Sequence, residues 1–348
     1  MKIKIIKLSI LSFSFALVAG IPKCFAQEKR KVGDPLDHLP KNIEQLTYFG
    51  ERADISPDSK RVAFMGSNYG NAMVIDLKTR VIRCLTCNVP AAAFLRVMHL
   101  PNGDFLLMGP DHFVNVDTSR LRDSELWYLK NDRGAKPVKL GQKVSVGFAL
   151  SKKDMKIVYT QTKPAVTGPV VRELVLADID VSGTVPKLTN KKTVYESAEQ
   201  GCIIEAQDFY NNDKGLIFFC YVTNGITAIM GLDIQSGKAT NLTNDPKLHT
   251  EPEGVFPDGK YLAAESDRQA DWLGGNRGSA NIDIWKFKLD GTGTKDMVRL
   301  TNFNEYEGSK AANPVVSADG KFMAFQTAKS SDPPPGIGYG ILIYWFKK

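Results

Sequence analysis

Beyond residue 26 the sequence lacks any apolar stretch that could cross a bilayer, which takes about 20 consecutive residues. It has only four histidines, and His38, His99, His112 and His249 lie in different segments. Such a scattered set does not supply the clustered ligands of a zinc centre. The sequence also lacks a Gly-x-Ser-x-Gly motif, and the glycine-rich segment 274–278 lacks the Gly-Lys-Ser/Thr ending of a phosphate loop. These absences exclude a serine-hydrolase elbow and a P-loop.

A strong excess of one charge is also missing. The formal net charge is +7, and removing the four lysines of residues 1–26 leaves +3. This modest value gives no electrostatic footprint for nucleic acid, so we expect no nucleic-acid partner.

The first 26 residues have the three regions of a secretory signal peptide. Basic residues precede an apolar stretch at 8–21, and Cys24-Phe25-Ala26 is a candidate cleavage site. We therefore predict a signal peptide at 1–26, an N-terminal tail at 27–41, and a periplasmic or secreted, monomeric protein with no transmembrane span after signal removal.

Four cysteines remain after the predicted signal peptide: Cys84, Cys87, Cys202 and Cys220. An even number in an exported protein permits disulfides. The Cys84–Cys87 pair is placed at the end of a predicted strand, which favours a structural disulfide over thioredoxin-like redox chemistry. Cys202 and Cys220 flank a predicted turn and could face each other across one hairpin.

What the sequence does contain is a turn signature followed at once by strand-forming residues, repeated six times. The turns lie at 56–59, 101–103, 153–154, 211–213, 257–259 and 318–320. Asp-Gly or Asn-Gly between two strand-like runs is the strongest short-range hairpin signal. The turns recur every 44 to 61 residues. Four-stranded propeller blades recur every ~40–50 residues, and the longer intervals leave room for insertions.

A second repeat is the pair Leu-Thr, at residues 46, 85, 188, 242 and 300, with Leu140-Gly141 as a degenerate copy. The first pair comes before the first turn, whereas the apolar run 341–346 ends the last repeat without one. The simplest explanation is that 43–49 supplies the outer strand of the last blade. We therefore predict an all-β fold over residues 42–348, a six-bladed β-propeller closed by an N-terminal strand that completes the last blade. An open sandwich or stacked sheets is the less favoured alternative.

Three of the repeats resemble those of the TolB-like, WD40-like β-propeller family. They read Ser-Pro-Asp-Ser-Lys-Arg-Val-Ala-Phe at 56–64, Phe-Pro-Asp-Gly-Lys at 256–260 and Ser-Ala-Asp-Gly-Lys-Phe-Met-Ala-Phe at 317–325. The resemblance covers essentially the whole chain after the signal region and implies a propeller. In that family the repeat serves scaffolds, glycan lyases and the propeller domains of serine peptidases. TolB itself has an α/β domain before its propeller, so the short tail here implies a stand-alone exported propeller.

Ligand sites of propellers are expected at the mouth of the central channel, near the inner strand of each blade. The fifth repeat concentrates imidazole, carboxylate, guanidinium and aromatic groups. The predicted ligand-binding residues are His249, Glu251, Glu253, Glu265, Asp267, Arg268, Trp272, Arg277 and Tyr306. In this hypothesis Trp272 or Tyr306 stacks on a sugar ring, and Arg268 or Arg277 binds its carboxylate.

Two functional classes follow. The first is a protein that binds a carbohydrate or a protein partner of the cell envelope at the mouth of its channel. The second is a lyase or hydrolase acting on an acidic glycan, with His249, Glu251 and Arg268 as candidate catalytic residues. Glu251 and Glu253 alternate on one face of a strand, so a divalent metal is possible, with His249 as a weak candidate ligand.

Overall fold

The computed structural model describes residues 29–145, 147–163, 171–197, 202–221, 227–332 and 336–346. The predicted signal peptide at 1–26 lies outside these ranges. No helix within them is long and apolar enough to span a membrane.

Six four-stranded antiparallel sheets form the structure, and each sheet is one blade of a β-propeller. From inner to outer strand, blade 1 consists of β2 (Glu51–Ile55), β3 (Arg61–Met65), β4 (Ala72–Asp76) and β5 (Ile82–Cys84). In the same order, blade 2 consists of β6 (Arg96–His99), β7 (Phe105–Gly109), β8 (Glu125–Leu129) and β9 (Val138–Lys143). Blade 3 consists of β10 (Phe148–Leu150), β11 (Lys156–Thr162), β12 (Arg172–Asp180) and β13 (Lys187–Glu196). Blade 4 consists of β14 (Ile203–Tyr210), β15 (Gly215–Tyr221), β16 (Thr227–Asp233) and β17 (Ala239–Asn241). Blade 5 consists of β18 (Thr250–Val255), β19 (Tyr261–Ser266), β20 (Asp283–Lys288) and β21 (Val298–Arg299). Blade 6 is β22 (Ser309–Val316), β23 (Phe322–Lys329), β24 (Ile341–Trp345) and β1 (Ile43–Gln45). The six-bladed propeller predicted from the sequence is confirmed.

The ring closes as the two repeats predict. Strand β1 pairs antiparallel with β24, with Ile43 opposite Tyr344 and Gln45 opposite Leu342. The N-terminal strand thus completes the last blade and joins the first and last parts of the propeller in one sheet, without an open ring edge.

The six turns connect the inner strand of each blade to the next strand. Ser59, Gly103, Gly259 and Gly320 have positive φ angles of 57°, 90°, 66° and 69°. Glycine adopts this conformation without the steric penalty of a Cβ, which explains its recurrence here. The hydroxyl of Ser56 accepts a hydrogen bond from the Arg61 amide at 2.9 Å, so the serine closes the turn.

The Leu-Thr pairs have a structural role at the outer edge of the blades. In four of the pairs the threonine Oγ1 atom accepts a hydrogen bond from a backbone N–H of the third strand, as in Thr243 with Ile229 at 2.6 Å and Thr301 with Ile284 at 2.9 Å. The hydroxyl thereby satisfies a buried donor just past the end of the outer strand. The Leu188-Thr189 copy differs, because it lies inside the long strand β13.

The core lies between neighbouring blades, where most residues of the inner and second strands are buried. Large aromatic side chains fill it, among them Phe64, Phe105, Phe148, Phe218 and Phe325. These strands therefore form a rigid frame that holds the side chains lining the channel.

Helical segments are short and lie in the connections. In the described residues they are α1 (Val116–Thr118), α2 (Ala270–Leu273), the 3-10 turns Pro35–His38, Gly293–Asp296 and Phe303–Glu305, and a π turn (Ser119–Asp123).

Two disulfides brace the connections. The structure joins Cys84 to Cys87 with 5.7 Å between Cα atoms, and Cys202 to Cys220 with 5.3 Å. The first spans the end of β5 and the second holds the β14–β15 hairpin.

Candidate functional site

The inner strands of four blades carry a β-bulge at the same place. The register shifts between Glu51 and Asp54, and at equivalent positions in β14, β18 and β22. A bulge adds one residue and redirects side chains out of the regular alternation. The residues at the four bulges, Arg52, Gln207, Glu253 and Asn313, all line the central channel.

Two of these bulge residues have strained backbones. Arg52 and Asn313 have φ angles of 53° and 51°. Arg52 Nη1 lies 3.5 Å from Asn313 Oδ1, so the two left-handed residues of neighbouring blades meet at the channel wall. Most other left-handed non-glycine residues of the described chain lie in turns, so two of them on adjacent inner strands mark this part of the wall as a candidate site.

The channel widens at one end into a cavity of about 640 Å³. The loops between second and third strands of blades 2, 5 and 6 surround it, together with five inner strands. The charged residues that line it are Arg52, Arg96, Arg120, Glu205, His249, Glu251, Glu253, Glu265, Arg277, Lys310 and Asp332. Cavities of about 40 and 50 Å³ continue past Glu253 and Gln207 to the opposite end.

One side of the cavity is rich in guanidinium groups around a single buried acid. Arg96 lies 3.5 Å and Arg120 3.3 Å from the carboxylate of Glu205. Arg120 comes from the π turn of blade 2, whereas Glu205 belongs to blade 4. Burial acts to lower the pKa of Arg120, but the charge of Glu205 raises it above its ordinary value. Two cations share one anion here, which leaves positive charge for a ligand.

The opposite side is a cluster of carboxylates from blade 5. Carboxylate oxygens of Glu251, Glu253 and Glu265 lie within 4.8 Å of one another. Glu251 and Glu253 come from the inner strand β18, and Glu265 from the neighbouring strand β19, where it is 5% exposed. Its carboxylate accepts the Asn313 amide at 2.5 Å, which fixes its orientation.

The three carboxyl groups differ in proton affinity. Burial and the charge of Glu251 raise the pKa of Glu265 to about 7. Burial and the charge of Glu265 also raise the pKa of Glu253 well above its usual range. Burial opposes ionisation of Glu251 too, but His249, whose Nε2 lies 3.2 Å away, lowers the pKa of Glu251. Glu251 therefore ionises more readily than its two neighbours, which hold their protons more tightly than an ordinary glutamate does.

Five of the predicted residues line this cavity: His249, Glu251, Glu253, Glu265 and Arg277. Asp267 lies beneath them, fully buried. Its carboxylate accepts the backbone amides of His249 and Gly278 at 3.1 and 2.7 Å and binds Arg277 at 3.2 Å. Asp267 thus holds the mouth loop in place.

The remaining three predicted residues point elsewhere. Arg268 donates to the carbonyl of Thr294 at 2.6 Å. The ring of Trp272 packs against the ring of Trp285 with 6.1 Å between centroids. The ring of Tyr306 stacks on His38 with 5.9 Å between centroids. None of the three lines the cavity, so their role in ligand binding stays a prediction that the geometry does not favour.

Sequence reasoning did not single out the groups from other blades. They are Arg52, Arg96, Arg120, Glu205, Tyr221 and Lys310. A signal existed, because Arg52, Arg96, Glu205 and Glu251 stand four, five, six and six residues before the turn of their repeat. A charge at that distance before the turn marks a side chain on the inner strand.

The carboxylate cluster is also where a divalent cation fits. Glu251, Glu253 and Glu265 offer hard oxygen ligands within mutual reach, which suits Ca²⁺ or Mg²⁺. Such an ion would replace the protons on Glu253 and Glu265 and could polarise a bound oxygen.

These features define a class: a six-bladed β-propeller with a charged pocket at the mouth of its channel. No protein-family model matches the chain, and no curated protein matches it either. Solved structures do match. One from Agrobacterium tumefaciens described as TolB is 17% identical over 74% of this chain and 77% of its own, with a TM-score of 0.50. A gluconolactonase from Xanthomonas campestris is 11% identical over 86% and 88%, with a TM-score of 0.52. At this identity the likeness shows the fold alone, and it agrees with the TolB-like propeller predicted from the repeats.

Proposed function

We propose that this protein binds a small, hydroxyl-rich, carboxylate-bearing ligand, such as an acidic sugar, at the mouth of its channel. The observation that carries the proposal is the 640 Å³ cavity lined by acids and bases from five blades. Ligand pockets commonly have volumes of about 300–1,000 Å³ with a few fixed polar groups.

The two sides of the cavity have complementary tasks in this proposal. Arg96 and Arg120 bind the carboxylate of the ligand, because both guanidinium groups pair with the one carboxylate of Glu205. The carboxyl groups of Glu253 and Glu265 bind its hydroxyls. Tyr221, on the cavity wall, replaces Trp272 and Tyr306 as the surface that stacks on a sugar ring.

A second candidate is acid–base chemistry on the same class of ligand. It is favoured by the opposite pKa shifts of Glu251 and Glu265, which lie in one carboxylate cluster. Neighbouring carboxyl groups with divergent pKa values are typical of an acid and a base in one site. Glu265 would donate a proton, and Glu251 with His249 would accept one.

Export and organisation remain part of the proposal. We infer a signal peptide at 1–26, a tail at 27–41 and a propeller at 42–348, in a monomeric periplasmic or secreted protein. In the described part of the tail, the Arg30 guanidinium donates to the carbonyls of Gly274 and Asn304 at 2.9 Å, so the tail packs against the loops of blades 5 and 6.

Titration calorimetry with galacturonate and glucuronate, and with the neutral sugars galactose and glucose, tests the binding proposal. We expect the uronates to bind and the neutral sugars to bind more weakly. Arg96→Gln should weaken uronate binding about tenfold, since charge-assisted hydrogen bonds contribute about 1.5–3 kcal/mol.

The matched control is Arg122→Gln, because Arg122 belongs to the same blade as Arg96 but is exposed, does not line the cavity and pairs with Asp123 at 2.7 Å. Failure of every sugar to bind would contradict the carbohydrate proposal and favour a protein partner. Turnover of a uronate-containing oligosaccharide that is lost in Glu251→Gln would support the enzymatic candidate.

A further inference from the structure

A groove of about 810 Å³ lies between the outer parts of blades 1 and 2, and none of its lining residues lines the channel cavity. Strands β4 and β5 form one wall, and the turn between β8 and β9 forms the other. The groove therefore follows the outer strand of blade 1 along its whole length.

The outer edge of β5 offers backbone groups for pairing. The carbonyl of Val81 accepts a hydrogen bond from β4 at 3.1 Å, and the amide of Leu85 donates one to β4 at 2.8 Å. Hydrogen-bonding sides alternate along an antiparallel strand, so the N–H and C=O groups of Ile82 and Cys84 point away from the blade. These groups have no hydrogen-bond partner in the described part of the chain.

The strand β5 contains no lysine, unlike the outer strands of blades 2 and 3. The outer strand β9 contains two lysines and β13 contains three, and lysine on an edge strand discourages pairing with another chain. At β5, by contrast, the side chains of Val81 and Ile82 are 64% and 39% exposed. An apolar, unprotected edge is suited to pairing.

The groove beside this edge is rich in arginine. Arg61, Arg83 and Arg133 line it together with Asp76 and Asp132. The carboxylate of Asp76 already closes its own turn by accepting two backbone amides at 2.8 and 3.0 Å. Burial and the charges of Arg133 and Arg61 lower the pKa of Arg83, so the three guanidinium groups lie in one positive field.

We propose that β5 binds an extended acidic segment of a partner polypeptide by strand addition. The backbone of that segment pairs with Ile82 and Cys84, and its acidic side chains, on alternate residues, meet Arg83 and Arg133. The alternating donors and acceptors of the strand edge match a polypeptide backbone, which a sugar or an inorganic anion does not have. This inference is independent of the ligand proposed for the channel.

The test uses the full chain and a fluorescein-labelled peptide of alternating glutamate and valine, followed by fluorescence anisotropy. We expect saturable binding. The same peptide with lysine in place of glutamate, and one with proline at every second position, should not bind, because they remove the charge match and the backbone donors respectively.

Two protein variants locate the contact. Ile82→Pro removes only an outward N–H and no bond to β4, which an edge strand tolerates. It should weaken peptide binding about fivefold, as expected for one hydrogen bond, whereas Ile82→Val should not. The double variant Arg83→Gln/Arg133→Gln should weaken it about tenfold. Circular dichroism confirms that each variant is folded.

Several results would overturn the proposal: no saturable binding, equal binding of the lysine peptide, or an unchanged affinity in Ile82→Pro. Sedimentation analysis tests whether a second copy of the chain, instead of a partner segment, pairs with the edge of β5. A dimer of the free protein that Ile82→Pro abolishes would assign this edge to a second copy of the chain and would also overturn the proposal.

Discussion

The buried carboxyl group of Glu265 should make the stability of the propeller depend on pH. Its pKa rises from 4.5 to about 7 in the folded state, through burial and the charge of Glu251. Because the folded state holds the proton more tightly, the contribution is complete below about pH 4.5 and is lost as the pH rises through about 7. Each tenfold change in proton affinity is worth about 1.4 kcal/mol, so the whole effect is about 3 kcal/mol.

Glu265→Gln removes this dependence. The glutamine is neutral at every pH, and its amide oxygen can still accept the Asn313 amide. We expect the variant to match the parent protein near pH 4 and to exceed its free energy of unfolding by up to about 3 kcal/mol at pH 8. For a chain of this size that corresponds to a rise in Tm of about 5 °C.

The assay is thermal or urea unfolding from pH 4 to pH 8, with Glu196→Gln as control. Glu196 has a side chain that is 51% exposed, and it pairs with Lys163 at the surface. Glu196→Gln should change the free energy of unfolding by less than about 1 kcal/mol, because an exposed ion pair contributes little to stability. If the curves of the parent and Glu265→Gln run parallel, the reasoning is refuted.

Three further predictions follow from particular contacts. Thr301→Val should destabilise the protein by about 1–3 kcal/mol in urea unfolding, because the buried Ile284 amide loses its acceptor, and Thr301→Ser should restore most of it. Arg30→Ala should cost about 2 kcal/mol and speed trypsin cleavage at Arg277, since Arg30 ties the tail to the mouth loop; an unchanged cleavage rate would argue against this role. Excess Ca²⁺ should raise the Tm more at pH 8 than at pH 5, since protons compete for the same oxygens, and Glu253→Gln should reduce the rise; equal shifts at both pH values would speak against a cation there.

The architecture was readable from local patterns. Residues such as Ser59, Gly259 and Gly320 recur because five of the six turns contain a residue with a positive φ angle. Thr301 recurs with its equivalents because, in four blades, a backbone donor near the start of the third strand needs an acceptor. Such requirements act over a few residues, so the sequence displays them directly.

The candidate site was readable only in part. Glu251, Glu253 and Glu265 were identified because they lie close together along one repeat. Arg120 was not, because it is 85 residues from the Glu205 it contacts and sits in a loop insertion of blade 2. Trp272 is a near neighbour in sequence that packs away from the cavity, against Trp285.

The sequence by itself therefore determined the number of blades, the phase of the repeat and the closure by β1, since these depend on periodic turns and strands. Only the tertiary structure decided which charges share the channel. Ring closure brings together inner strands far apart in the chain, and the bulges at Arg52, Gln207, Glu253 and Asn313 redirect side chains against the regular alternation. The proton affinity of Glu265 likewise arises only when burial and its neighbours act on it together.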